Sequence, residues 1–244
     1  MNQHEAVIKV MEENGGYATF KYLYEKSLKV KGSTWKTKTP FASIRRIVQN
    51  ERFFFKIRPG LWALKSQRET LKRKFKFEDS TKREENRFTH SFYQGLLVEI
   101  GNLNNLDTYV PNQDKNKLFL SKKLSDVATL SQIYQFTNYQ TVARSAKTID
   151  VIWFNSRKFP SSMFEVEYTT SMENSLVKFV ELQDFNTKFR IVCDESRRRY
   201  FEDKISRSAF QSIRDRVDFW NFDYVSELHS YKAKLNQLEK GIKK

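Results

Sequence analysis

A chain of 244 residues, 39% hydrophobic and 15% aromatic, has the length for one large or two moderate domains and enough apolar content for packed cores, which excludes a disordered chain. Its formal net charge of +15 points to a polyanionic partner, nucleic acid first and an anionic membrane surface second. One cysteine excludes an intramolecular disulfide, three scattered histidines argue against a structural zinc site of Cys and His ligands, and with no apolar leader or transmembrane-length run the expectation is a cytoplasmic protein with no membrane role.

The charge is concentrated at the start. Residues 1–65 hold 13 Lys and Arg against 5 Asp and Glu, whereas residues 89–244 hold 23 against 19, so the first quarter reads as a separate basic module. A helix is predicted over 4–14, with Ala6, Val7, Val10 and Met11 on one stripe and Asn14-Gly15-Gly16 ending it. A second is predicted over 20–28, where Phe20, Leu23, Tyr24 and Leu28 share helical spacing. After a basic loop, Thr39-Pro40 opens a third helix that turns Phe41, Ile44, Ile47 and Val48 inward. Phe53–Ile57 and Leu61–Leu64 then form a hairpin around Arg58-Pro59-Gly60.

Three helices followed by a small hairpin is the order of a winged helix-turn-helix. The pattern Phe41-x-x-Ile44, Phe53-Phe54-x-Lys56 and Gly60-Leu61-Trp62-x-Leu64 resembles the HARE-HTH type of winged helix, a type found fused to restriction enzymes. The resemblance covers about residues 1–66. It implies that the third helix enters the major groove and the wing touches the backbone. Lys36 and Lys38 before that helix, Arg45 and Arg46 on it, and Arg58 at the wing tip are the candidate DNA contacts, each weighed against a merely solvated face.

Residues 67–88 read as a charged, partly helical linker whose Lys72, Arg73 and Lys74 follow the phosphates. From Thr89, taken as an N-cap, an amphipathic helix turns Phe92, Leu96, Leu97 and Ile100 inward, with Glu99 among them, and Gly101-Asn102 closes it. A strand over 106–111, a polar turn at 112–117, a short helix from Leu124 and a loop or short helix to 146 follow. Residues 171–185 are a strong helix, 189–193 a buried strand, and helices are expected near 195–204, 207–217 and 222–239. His90 and His229 read as cap or surface residues, and Cys193 as core.

Between these elements lies the stretch that carries chemistry. Ile149-Asp150-Val151-Ile152-Trp153 and Met163-Phe164-Glu165-Val166-Glu167-Tyr168 read as neighbouring strands. Alternation with period two places Phe164, Val166 and Tyr168 on one face, and Glu165 and Glu167 on the other. Three acids on paired strands repel one another, a cost that a divalent cation removes.

An acid-rich strand pair followed by a helix and a strand resembles the PD-(D/E)XK nucleases over residues 89–230, on Thr148–Trp153, Phe164–Thr170, the helix after Asn174 and Ile191-Val192-Cys193. Two positions depart from that pattern: Ile149 stands where Pro is usual, and Glu167 where Lys is usual, as in the Glu-x-Glu variant of restriction enzymes. The resemblance implies Mg²⁺ held by Asp150 and Glu165, Glu167 orienting or deprotonating the attacking water, and Glu99 as a fourth, metal-binding acid. Lys178, on the following helix, is a candidate to return the missing ammonium, and Tyr168, Thr169 and Thr170 are candidate DNA neighbours.

The expected fold is α/β: an N-terminal winged helix-turn-helix (1–66), a linker (67–88), and a PD-(D/E)XK-like mixed sheet flanked by helices (89–244). The expected activity is a Mg²⁺-dependent, type II-like restriction endonuclease acting on double-stranded DNA, as a homodimer or a monomer, with a cognate DNA methyltransferase as a further partner. Two alternatives stay open: a DNA-binding regulator with an inactive nuclease-like domain, and a structure-specific repair or junction nuclease.

Overall fold

Asn2 opens the first helix in the computed structural model, which describes residues 1–75, 82–168 and 172–242. Its side chain accepts from the Glu5 N–H while the Glu5 carboxylate accepts from the Asn2 N–H, both at 2.9 Å, a reciprocal cap that starts α1 (Gln3–Glu13). Then come β1 (Tyr17–Ala18), α2 (Phe20–Lys26), α3 (Pro40–Val48), β2 (Phe54–Arg58), β3 (Leu61–Leu64) and α4 (Arg68–Phe75). The three helices and the hairpin lie where the sequence placed them. The short strand β1 is an addition: it pairs antiparallel with β3, giving a three-stranded sheet in the order β1-β3-β2. Its two residues are too few to show a period, so only pairing with β3 makes them a strand. α4 buries Leu71 and Phe75, and Phe75 meets Tyr17 edge to face at 4.7 Å, so the start of the expected linker is packed helix.

The remaining elements are α5 (Lys82–Leu103), β4 (Asp107–Tyr109), β5 (Leu118–Phe119), β6 (Lys122–Lys123), α6 (Leu124–Val127), α7 (Gln140–Ala146), β7 (Val151–Phe154), β8 (Pro160–Val166), α8 (Met172–Glu181), β9 (Lys188–Cys193), α9 (Arg198–Ile205), β10 (Val217–Asn221) and α10 (Phe222–Ile242). Contacts divide the chain into two compact units: residues 1–85 with 226–244, and residues 86–225. The second unit is built on a mixed five-stranded sheet in the order β10-β9-β8-β7-β4. β10, β9 and β8 run parallel, and β8, β7 and β4 antiparallel. Met163, Phe189 and Ile191 of the sheet pack with Leu176 and Phe179 of α8 in one buried cluster. Trp153, Phe164 and Trp220 meet ring to ring, with centroids 4.4 to 6.5 Å apart. Among the described residues no helix is long and apolar enough to cross a membrane.

Three expectations change. Thr89 is not an N-cap: α5 already begins at Lys82, because the residues before Thr89 contain no Gly or Pro and are good helix formers. Gly101 does not close α5, which continues to Leu103. A Cβ there would lie 2.5 Å from the Thr108 methyl and 2.7 Å from Trp153 Nε1, so glycine lets the helix lie close on the sheet. Residues 207–217 are two short 3₁₀ turns leading into β10, not a helix. Five residues carry little periodic signal, and β10 exists because its backbone pairs along β9 from Val217 opposite Phe189 to Asn221 opposite Cys193.

Candidate active site

The site lies where β7 begins and β8 ends. Because the two strands are antiparallel, with Val151 opposite Phe164, Asp150 falls beside the last residues of β8. Asp150 accepts the Val166 N–H at 2.8 Å, and its own N–H donates to Glu165 Oε1 at 3.3 Å. Glu165 and Glu167, two residues apart, both face α8, where the Ser175 hydroxyl touches Glu165 Oε2 at 3.0 Å and also Glu167 Oε1. All three acids are buried. The structure therefore brings together Asp150, Glu165 and Glu167, the trio the strand alternation picked out.

Charges around the trio differ from side to side. Lys178 follows Ser175 by three residues on α8, so both reach the same face. Its ammonium donates to Glu165 Oε2 at 2.8 Å, to Glu165 Oε1 at 3.0 Å and to the Thr148 carbonyl at 3.3 Å. Burial, then the Asp150 charge, pushes the Glu165 carboxyl up to about 8 against the pull of Lys178 and Ser175. A hydroxyl has one proton, so Ser175 can donate to only one of the two acids. Its second contact calls for a proton on a carboxyl, in keeping with a raised Glu165. Glu165 raises the Lys178 ammonium in turn, overcoming the burial that works against it.

On the other side stands His90, which sequence reasoning set aside as a cap or surface residue. It is inside α5, and its Nε2 lies 3.1 Å from Asp150 Oδ2. Burial alone would raise the Asp150 carboxyl; His90 and the Val166 N–H outweigh it and hold the carboxyl below its usual range. His90 is raised although burial disfavours its charged form, because Asp150 favours it. One turn further along α5, the Gln94 amide donates to the Asp150 carbonyl at 3.1 Å and to Asp114 Oδ2 at 2.7 Å. Asp114 is buried in the turn after β4, and Lys117 reaches its other oxygen at 2.5 Å. His90, Asp114 and Asp150 can each turn one ligand atom to a common point, the three atoms lying within 4.8 Å of one another. His90 and Gln94 at helical spacing, i and i+4, were the signal available in the sequence. Asp114 gave none, since a polar turn residue looks like any other.

Glu99 stands apart from this cluster. Nine residues beyond His90 it is turned about 180° around α5 and lies about 13.5 Å along its axis. His229 is buried within α10 and not a surface residue. Tyr168 is described, whereas Thr169 and Thr170 lie outside the described residues.

In the first unit Lys36, Lys38, Arg46 and Arg73 are exposed, and Arg58 is half-buried at the end of β2. Lys72 is paired with Glu69 at 3.1 Å. Arg45 is held by the C-terminal helix: Nη2 lies 2.6 Å from Glu227 Oε1, Nη1 donates to Ser230 Oγ at 3.4 Å, and the guanidinium stacks over Phe20 at 4.8 Å.

A family model described as the type II restriction enzyme NmeDI C-terminal domain matches residues 71–244, well over half of the chain. A search of curated proteins and a search of solved structures gave no match.

Proposed function

Because this chain belongs to the type II restriction enzyme family of the NmeDI C-terminal domain, we propose that it is a metal-dependent endonuclease hydrolysing phosphodiester bonds of double-stranded DNA. The observation that carries the reading is the buried trio Asp150, Glu165 and Glu167 at the junction of β7 and β8, beside the Lys178 ammonium. In the PD-(D/E)XK reading, Lys178 takes from α8 the place of the lysine that Glu167 displaces.

A divalent cation at such a site polarises the scissile phosphate and acidifies water; Mg²⁺ is the first candidate where Asp150 and Glu165 supply oxygen ligands. The rest is work for the chain's own groups. Asp150 holds a fixed acceptor position through the Val166 N–H. Glu167, whose Oε1 meets the Ser175 hydroxyl, would accept a proton from an attacking water. Lys178 holds positive charge next to Glu165, where an anionic phosphate would approach.

The reading extends to the first unit, where a winged helix over residues 1–66 would hold DNA through Lys36, Lys38, Arg46 and Arg58, with Lys72 and Arg73 adding phosphate contacts. Arg45, tied to Glu227, would first have to leave that pair to read a base. A homodimer would bring one site to each strand. In support, α10 exposes Tyr231, Leu235 and Leu238 at spacings of four and three, the period of a helix–helix seam. A DNA methyltransferase that protects the recognition site would complete such a system.

The test is incubation with unmodified and methylated plasmid DNA and Mg²⁺ or Mn²⁺, alongside Asp150→Asn. Discrete fragments absent with the variant are the expected result. Salt-sensitive binding without cleavage would instead make the chain a DNA-binding regulator, and selective cutting of junctions a structure-specific nuclease.

A further inference from the structure

We infer that the second unit has a DNA-binding track of its own. The duplex crosses the acidic site between two basic banks, Lys122 and Lys123 of the β5–β6 hairpin on the α5 side and Arg144 and Lys147 of α7 on the α8 side. The inference rests on the nuclease reading and deepens it by saying which surface of this unit carries the substrate. It begins from charge. Asp150, Glu165 and Glu167 form an acidic floor, which repels the phosphates that a nuclease must bring to it. Cations beside the floor offset that repulsion and draw in a polyanion. Several cations of this unit are matched to acids of the chain: Lys117 to Asp114, Arg198 to Glu195, Lys204 to Glu173. Lys122, Lys123, Arg144 and Lys147 are exposed and form no ion pair among the described residues.

Each bank is tied to the acids. On the α5 side, the Phe119 ring lies on Gly95, where a Cβ would come within 2.1 Å of it, and meets the Phe92 ring at 5.8 Å. The Ser91 hydroxyl donates to the Leu118 carbonyl at 2.9 Å. At the foot of the hairpin Asp114 meets Lys117 on one oxygen and the Gln94 amide on the other, and the same amide donates to the Asp150 carbonyl. Gln94 and Asp114 thus link the hairpin to Asp150. The hairpin turns through Leu120 at φ 58°, a left-handed conformation that a leucine keeps only where its surroundings require it. Asp126, three residues beyond Lys123, turns its carboxylate to the Lys123 N–H and not to the ammonium.

On the α8 side, α7 runs almost directly into Asp150. Ala146 is buried in one cluster with Leu176 of α8, and Lys178 of α8 donates to the Thr148 carbonyl at 3.3 Å, so the last turn of α7 is held beside the acids. Arg144 and Lys147, three residues apart, share an exposed face of that helix. The other end of the sheet supplies a comparison. Arg157 in the β7–β8 turn and Lys188 at the start of β9 are also exposed and without an ion pair among the described residues, but they lie toward the opposite ends of β7 and β8 from Asp150 and Glu165. A general effect of positive charge acts through them equally, whereas a track over the acids does not.

The experiment measures the affinity of the full chain for a DNA duplex of about 30 base pairs by fluorescence anisotropy over a series of salt concentrations, with EDTA present so that nothing is cut. Lys122→Gln/Lys123→Gln and Arg144→Gln/Lys147→Gln should each lower the slope of log affinity against log salt by about 2, and the four substitutions together by about 4. Arg157→Gln/Lys188→Gln should leave it unchanged. Thermal unfolding establishes that each variant is folded, and the single substitutions Lys122→Gln and Arg144→Gln, each expected to lower the slope by about 1, stand in for a pair that is not. A slope unmoved at both banks overturns the inference, as does an equal fall in Arg157→Gln/Lys188→Gln. A fall at one bank alone overturns the two-sided track. Cleavage of plasmid with Mg²⁺ is scored separately. A chain with the expected slopes that cuts no DNA keeps the track and loses the nuclease reading. One that cuts while its slopes ignore both banks does the reverse.

Discussion

The two flanks of Asp150 solve the same electrostatic problem in opposite ways. Toward α8, the buried Glu165 meets a permanent cation of the chain, Lys178. Toward α5, the buried Asp114 and Asp150 are compensated by Lys117 at the rim and by His90, whose charge is removable. The first flank is complete as folded. On the second, Gln94 Oε1 is left without a donor among the described residues. The difference teaches that a row of carboxylates does not by itself mark a metal position.

Substitutions can sharpen that contrast. The largest effect is expected at the shared residue: Asp150→Asn should lower the cleavage rate by about 10²-fold or more, measured in single-turnover assays, because it serves both flanks. Next is Lys178→Met, which leaves Glu165 buried without its cation. At a pH above about 8, where Glu165 is ionised in the folded chain, a loss of up to about 3 kcal/mol in urea unfolding is expected, largely recovered in the Lys178→Met/Glu165→Gln double variant, since removing both charges removes the penalty. An unrecovered loss would show that Lys178 acts through packing and not charge.

A smaller effect tests whether α5 must lie tightly on its neighbours for His90 and Gln94 to reach Asp150. A Cβ on Gly95 would come within 2.1 Å of the Phe119 ring, so Gly95→Ala should cost about 1–3 kcal/mol in the same assay. The smallest belongs to the first unit. Arg46→Ala should reduce the slope of log affinity for DNA against log salt by about 1, with little change in stability. Arg45→Ala should break the pair with Glu227, which is half-exposed, at a cost of no more than about 1 kcal/mol.

The limits of reading the sequence follow the same division. The trio was legible because Phe164, Glu165, Val166, Glu167 and Tyr168 alternate, and a strand converts alternation directly into two faces. The helices α1, α3 and α8 were legible from apolar stripes, and α3 also from its Pro40 start. β10 was not, since a five-residue edge strand is made by its pairing with β9 and not by its own residues. Neither was the place of α10, whose residues from Ser226 pack with the first unit and hold Arg45 through Glu227, 182 positions away.

The sequence by itself determined a basic opening module, an α/β body and a set of acids spaced to converge. These are properties of composition and local period, which the backbone geometry of helix and strand fixes within a few residues. Only the tertiary structure decided which partner each acid meets. His90 meets Asp150 across 60 residues, Gln94 meets Asp114 across 20, and Lys178 meets Glu165 across 13. Contacts between a helix, a turn and a strand have no period to announce them. They exist because α5 and α8 pack on the ends of β7 and β8 and bring these buried polar groups within reach of one another.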